Sequence, residues 1–401
     1  MYLTKPKEPI NPLAKNIHKY YLYSFLKKLK FSLPIFALYF ASKGLNYTNI
    51  INVFVAASIA QIIFEVPSGV FADYFGRKSA LYVCAISNIL SIVFYLFGTN
   101  AIHFLCGGFF LGITLAFESG TESAFLYDTL KDLEREKEYK KIEGRAHSFS
   151  LIGFAVASFF GGLIALISLQ MTFWANFLIA LLLPLIIYNF KEPKKYKALS
   201  DKKYFVHLKQ AAIYSFKHTR IKWLIIFSSL VMVSVLAPFA LLQIYIKGIG
   251  VPLKFFGIVY TFLLLTSALS SHVAHRVYKR LGEFKALLIL PLFAGVALIL
   301  MGKIIFIFSW VFIILLEFVY GYLKPVIMDE IHKLIESHHR ATVLSLKGFV
   351  QGALFAILSP FLGYFADIYS LPTVLFIEGI LVLIICVPMV FLIVKKKSAI
   401  L

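Results

Sequence analysis

Long apolar runs alternate with short polar loops along this chain, and that alternation constrains its fold more than any other feature. A helix that crosses about 30 Å of hydrocarbon needs roughly 20 apolar residues. Twelve runs reach that length, at about 18–42, 49–72, 79–98, 102–128, 147–168, 171–190, 222–246, 253–275, 285–302, 304–330, 342–367 and 371–394. In lipid every backbone group must be satisfied within the protein, and runs this long do so as helices. The expected fold class is an all-α integral membrane protein with twelve transmembrane helices. Composition agrees where it discriminates: 60% of the residues are hydrophobic, against about 45–50% in soluble domains.

The charges test the count. The net charge of +20 would suggest a nucleic-acid partner in a soluble protein. Here the basic residues follow the loops instead. If both termini lie on the cytoplasmic side, 35 of the 40 Lys and Arg fall there. Lys43, Lys247, Lys254 and Lys303 fall on the other side, and Lys324 lies within a span. That is the positive-inside pattern, and one span too many or too few would destroy it. The reading is a multi-pass protein of the cell membrane with the lipid bilayer as partner, no nucleic acid and both termini cytoplasmic. No cleavable signal peptide is expected, because the N-terminus is polar and carries Pro6, Pro9 and Pro12. Cys84, Cys106 and Cys386 lie in separate apolar runs without metal-ligand spacing.

An internal repeat divides the chain. Arg145-Ala146 followed by Ser150-Leu151-Ile152-Gly153-Phe154 recurs as Arg340-Ala341 followed by Ser345-Leu346-Lys347-Gly348-Phe349. Asp128 with Leu133 is matched by Asp329 with Leu334. Span five thus corresponds to span eleven and span four to span ten. The expected organisation is a six-helix half at 1–190, a central loop at 191–221 and a second six-helix half at 222–401. Within the loop, 204–217 is either an amphipathic helix on the anionic inner leaflet or a plain linker.

Charges inside spans are costly and mark either function or ion pairing. The acids are Glu65, Glu118, Glu122, Glu317 and Glu378; the bases are Lys27, Lys28, Lys30 and Lys324. Glu118 and Glu122 are four residues apart, which puts them on one helix face. As cavity groups, these carboxylates would exchange protons during transport. As structural groups, Glu65 or Glu118 would pair with Lys27, Lys28 or Lys30. Lys324, with Tyr320 and Tyr322 nearby, is a further cavity candidate, and His272 and His275 are possible relays. Glu65, Glu118, Glu122, Glu317, Lys324 and Tyr320 form the candidate substrate and proton set.

Between spans two and three stands Gly69-Val70-Phe71-Ala72-Asp73-Tyr74-Phe75-Gly76-Arg77-Lys78, preceded by Glu65-Val66-Pro67-Ser68. This stretch resembles the signature loop between helices 2 and 3 of the major facilitator superfamily of transporters. The resemblance implies two pseudo-symmetric six-helix bundles around a central cavity. It also implies a gate of Gly69, Asp73, Gly76, Arg77, Lys78 and Asp128, with Asp73 near the N-terminus of span eleven and Arg77 paired with Asp128. Gly363-Tyr364-Phe365-Ala366-Asp367 echoes Gly69 to Asp73 at the outer end of span eleven. The true counterpart, near His275 to Gly282, has no acid matching Asp73. The antiporter pattern of the family's drug exporters is broken: Gly108 stands where they carry Arg, and Ala157-Ser158 where they carry Gly-Pro.

No HExxH, GxSxG or phosphate-binding loop is present, and His338-His339 is a weak metal candidate. The expectation is a non-enzymatic secondary transporter without cofactor or metal, monomeric, exporting a small organic molecule against protons. The alternatives are a facilitator importing a sugar, peptide or organic acid, and a non-transporting membrane receptor or scaffold.

Overall fold

The computed structural model describes residues 12–194, 218–335 and 340–395, with the side chains of 340–342 excepted. The amphipathic segment expected at 204–217 and the His338-His339 pair lie outside the described residues. The described chain is helical throughout, and ten of its helices are long and apolar enough to cross a membrane. One of the ten, Leu253–Lys303, holds two spans, and the first span is built from shorter pieces. The total is the twelve spans of the sequence reading.

Span one comprises Ala14–Lys27 and Phe36–Ser42, joined through a 3-10 turn at Leu33–Ile35. Span two is Tyr47–Phe75 and span three Arg77–Phe97. Span four is Ala101–Glu118 continued by Thr121–Asp132. Spans five and six are Tyr139–Ile167 and Leu169–Asn189. Span seven is Thr219–Ala240 with Leu242–Gly248. Spans eight and nine share Phe256–Lys303, which turns at Gly282 with φ 74°. Spans ten, eleven and twelve are Ile313–Leu334, Arg340–Ile368 and Leu371–Lys395.

Side-chain caps start several of these helices. Asn46 accepts from the Asn49 amide at 3.0 Å, Asn100 from His103 at 3.1 Å and Ser168 from Gln170 at 3.2 Å. Each satisfies an amide that the first turn leaves without a helical partner. The two-to-three and eight-to-nine turns use glycines with positive φ, Gly76 at 102° and Gly282 at 74°. These are equivalent places in the two halves.

Gly108 and Gly112 let span four lie directly on span two. A Cβ at Gly108 would stand 2.2 Å from the Val53 carbonyl oxygen, and one at Gly112 equally close to that of Ala57. The departure from the drug-exporter pattern at Gly108 therefore has a packing cause, since no side chain larger than hydrogen fits there. Large apolar side chains such as Ile167, Leu178, Leu185 and Phe361 stay exposed along the outer faces, as helices facing acyl chains require.

The two six-helix bundles meet along spans two and eleven and along spans five and eight. The end of the molecule that carries the basic loops is called here the basic end, and the opposite one the far end. At the far end the bundles are tied together. Gln243 of span seven accepts from the Ala37 amide at 3.1 Å and donates to the Leu33 carbonyl at 3.3 Å. Asp367 of span eleven holds the first residues of span two. At mid-depth the Ser58 hydroxyl reaches the Gly352 carbonyl at 3.4 Å. Toward the basic end the same two helices part: among the described residues, nothing lies within 4 Å of a Cβ placed on Gly69 or Gly348.

Candidate functional site

Between the parted helices lies a cavity of about 620 Å³. Span two contributes Phe54, Gln61 and Glu65, span seven Phe239, and span eleven Gln351 and Phe355. The walls are mostly apolar and aromatic with a few polar groups, the composition of a small-molecule site. Of the acids singled out from the sequence, Glu65 lines this cavity. Its Oε1 accepts from the Ser119 hydroxyl at 3.2 Å, and its partner is that hydroxyl rather than a lysine.

Glu118 and Glu122 are brought together in a way that helix periodicity does not describe. Span four breaks at Ser119-Gly120, where Gly120 takes φ 78°, so the two acids sit on separate helical segments. The argument from a shared helix face is thereby corrected: the positive-φ glycine resets the helix phase between them. Their common partner is Lys27, which donates to Glu118 at 3.1 Å and to Glu122. Lys28 adds a bond to Glu118 at 3.0 Å, and the Tyr23 hydroxyl donates to Glu122 at 3.1 Å. A carboxylate pair and two ammonium groups thus form a compact network of spans one and four.

On span ten, Glu317 is only 7% exposed and has no hydrogen-bond partner among the described residues. Lys324 lies seven residues on, hence on the same helix face about 10 Å away. Tyr320 between them is 45% exposed, whereas Tyr322 is fully buried on the opposite side. A lysine exposed this far from the helix end is tolerable where it meets water rather than lipid. Glu378 lies on span twelve, away from the cavity lining.

The signature loop forms a charge cluster at the basic end of the first bundle. The Arg77 guanidinium bonds Asp73 Oδ1 at 2.8 Å and Asp128 Oδ2 at 3.3 Å, joining the end of span two to the end of span four. Among the described residues, nothing lies within 4 Å of a Cβ placed on Gly69, one turn before Asp73. The opening turn of span eleven includes undescribed side chains, so the Asp73 contact expected there falls partly outside the described residues.

Two features of this end were not found from the sequence. Glu192, just beyond span six, accepts from the backbone amides of Arg77 at 2.7 Å and Lys78 at 2.9 Å. It places a negative charge on the N-terminus of span three. Lys78 answers by donating to the carbonyls of Tyr188 at 2.8 Å and Phe190 at 2.9 Å, at the C-terminus of span six. The signal was an acid at the opening of a mostly basic loop.

The second feature is a buried cluster in the other bundle. Arg220, 4% exposed, bonds Glu330 at 2.8 Å and also Glu283. Tyr278 and Lys333 complete the shell of Glu330, the latter at 3.0 Å. Glu283 follows the turn glycine Gly282 as Arg77 follows Gly76. The counterpart of the signature loop therefore keeps a charge at this position with its sign reversed, which a search for an acid matching Asp73 overlooks.

Comparison with known proteins gives a consistent picture. A model of the Major Facilitator Superfamily matches residues 22–360. An uncharacterized MFS-type transporter of Methanocaldococcus jannaschii, MJ1560, is 26% identical over 179 residues, 44% of this chain and 45% of the relative. An uncharacterized MFS-type transporter of Bacillus subtilis, YxaM, is 37% identical over 84 residues, 20% of this chain and 21% of the relative. The matches thus span less than half of either relative's length. Among solved structures, two of the nucleoside transporter NupG superpose with TM-scores of 0.81 and 0.82 at 14% and 16% identity over 94% of this chain and 98% to 99% of the other. A bacterial homolog of the human lysosomal transporter Spinster, inward-facing and unoccupied, gives a TM-score of 0.72 at 13% identity, covering 97% of this chain and 98% of that one. At such identities the structures establish the fold alone. The family model covers most of the chain, and the chain therefore belongs to the Major Facilitator Superfamily.

Proposed function

We propose that this protein is a secondary transporter of the cell membrane that moves a small organic compound by alternating access, coupled to protons and in the direction of export. The observation that carries the reading is the cavity between the bundles, tied shut at the far end through Gln243 and Asp367 and parted at the basic end. With the basic loops in the cytoplasm, as their charge favours, this conformation faces inward and both termini are cytoplasmic. The protein acts as a monomer, since one chain encloses the whole cavity.

Proton coupling rests on Glu317 and Glu65. Glu65 lines the cavity and Glu317 is buried outside its lining; a carboxylate without a cation beside it changes protonation as its exposure changes, and a rocking motion changes exposure. Glu118 and Glu122 are clamped by Lys27 and Lys28 and serve the structure of the first bundle. The mostly apolar wall suits an organic compound with a hydrophobic body.

Flux of a compound panel through proteoliposomes, with and without an imposed pH gradient, tests the reading. Uphill movement of one compound, driven by the gradient and lost in Glu317→Gln, is expected. Flux that ignores the gradient removes the coupling, and gradient-driven uptake in place of release reverses the direction.

A further inference from the structure

A second hollow, of about 370 Å³, lies between spans seven, eleven and twelve. None of its lining residues lines the central cavity. Its rim is made of large apolar side chains that stay exposed, among them Phe361, Phe365, Ile377 and Leu381, so it opens sideways toward the acyl chains. Its inner wall is polar at three places: Ser234, Ser359 and Glu378.

Glu378 is the group without an explanation. Its Oε2 is shielded and has no hydrogen-bond partner among the described residues. Among the described residues, no lysine or arginine lines the hollow. The two serines do not help, because Ser234 donates to the Val231 carbonyl at 2.8 Å and Ser359 to that of Phe355. The carboxyl stands seven residues along span twelve from Leu371, hence about 10 Å below the far end. An ionised carboxylate there costs several kcal/mol unless a cation joins it.

We propose that this hollow is a membrane-facing binding site for a lipophilic amine, with the ammonium group on Glu378 and the apolar body between spans eleven and twelve. The charge selects the occupant. An acyl chain would fill the apolar rim and leave the carboxyl unmatched, and an anion would be repelled. An amine on a hydrophobic tail dissolves in the bilayer, reaches the hollow laterally and supplies the single positive charge that the wall lacks. The volume falls within the range of drug-sized sites, about 300–1,000 Å³.

The test uses the full chain in nanodiscs of phosphatidylcholine, with a dansyl-labelled long-chain amine as probe and its N-acetylated, uncharged form as control. Signal from empty nanodiscs is subtracted. The amine is expected to bind saturably and at least about tenfold more tightly than the acetylated form, since removing one partner of a desolvated charge pair has an effect of that order or larger. Glu378→Gln, which keeps the shape, should erase the difference between the probes. Leu381→Trp at the exposed rim should weaken both, and Glu317→Gln and Glu65→Gln should change neither. Equal binding of the two probes to the unmodified protein means an acyl-chain groove only and overturns the proposal. So does amine binding that survives Glu378→Gln, or that is lost in Glu65→Gln, which would place the amine in the central cavity. All of these outcomes are independent of whether protons drive transport.

Discussion

Asp367 holds Thr48 across the two bundles: its Oδ2 accepts from the Thr48 amide at 3.0 Å and from the hydroxyl at 2.6 Å, while Oδ1 accepts from the Tyr47 amide at 2.8 Å. An acid at the end of span eleven thereby caps the start of span two. Gly363, one turn earlier, lets the helices touch, since a Cβ there would lie 2.8 Å from the Thr48 Cα. Gly69 and Asp73 repeat that glycine-acid spacing at the opposite end of the same helix pair. There the glycine has no neighbour within 4 Å of a placed Cβ among the described residues, and the acid is bonded to Arg77. Spans two and eleven thus carry matching devices at both ends, with the far one engaged in this conformation.

Removing the engaged device should tip the balance. Asp367→Ala loses charge-assisted bonds worth about 1.5–3 kcal/mol, enough to shift a two-state population roughly 10- to 100-fold toward the outward-facing form. Gly363→Leu should act in the same direction by wedging the helices apart. Accessibility of single cysteines placed at Tyr47 and Ile368 to a membrane-impermeant thiol reagent reads the shift. Unchanged labelling in both variants would leave the far-end contact without a gating role.

Glu192 and Lys78 should stabilise the first bundle as a pair. Each serves a helix terminus, so Glu192→Ala and Lys78→Ala should each cost about 0.5–2 kcal/mol, in the range of cap removals. Both act where spans three and six meet, and the double variant should cost less than the sum. Thermal unfolding in detergent measures all three.

Much of this was legible in the sequence, for identifiable reasons. Span number follows from run length and from the sides on which 35 and four basic residues fall. These are statements about long stretches that no single side chain can upset. The site was less legible because it depends on interruptions. One positive-φ glycine, Gly120, separates Glu118 from Glu122, and nothing in the spacing of the acids announces it. Gly108 was read as a missing arginine, whereas its position is decided by the Val53 carbonyl on another helix. Long-range partners such as Glu192 for span three, or Arg220 for Glu283, are set by how helices pack and leave no local pattern.

Gly108 gives a direct test of that packing. Gly108→Ala should destabilise by about 1–3 kcal/mol, the usual range for overpacking a close contact, and Gly108→Arg should prevent accumulation of folded protein. Thermal unfolding and size-exclusion profiles check both. A well-folded Gly108→Arg protein would show that spans two and four separate more easily than their contact implies.

The lysine network predicts an ordering among acid variants. Lys27→Met leaves Glu118 with Lys28 alone and Glu122 with the Tyr23 hydroxyl. It should cost roughly 3–5 kcal/mol, as expected when one partner of a buried pair is removed. Glu317→Gln removes no bond among the described residues, so the protein should keep its thermal stability while losing gradient-driven flux. If Glu317→Gln unfolds the protein and Lys27→Met does not, the division into structural and proton-handling acids is reversed.

The buried cluster of the second bundle yields the sharpest stability test. Arg220 is 5% exposed at its side chain, Glu330 2% and Glu283 9%. Arg220→Met takes the guanidinium from both carboxylates, while Glu330 keeps its bond to Lys333. Loss of one partner from such a cluster costs about 3–5 kcal/mol, whereas replacing its buried charged members by apolar or neutral residues of similar volume is close to neutral. The triple variant Arg220→Met, Glu283→Gln, Glu330→Gln should therefore unfold at a higher temperature than Arg220→Met alone. Function should separate the two roles of the cluster. If the charges also steer rocking, the triple variant will be folded yet slow in proteoliposome flux. Full flux in that variant would confine the cluster to holding spans seven, nine and ten together.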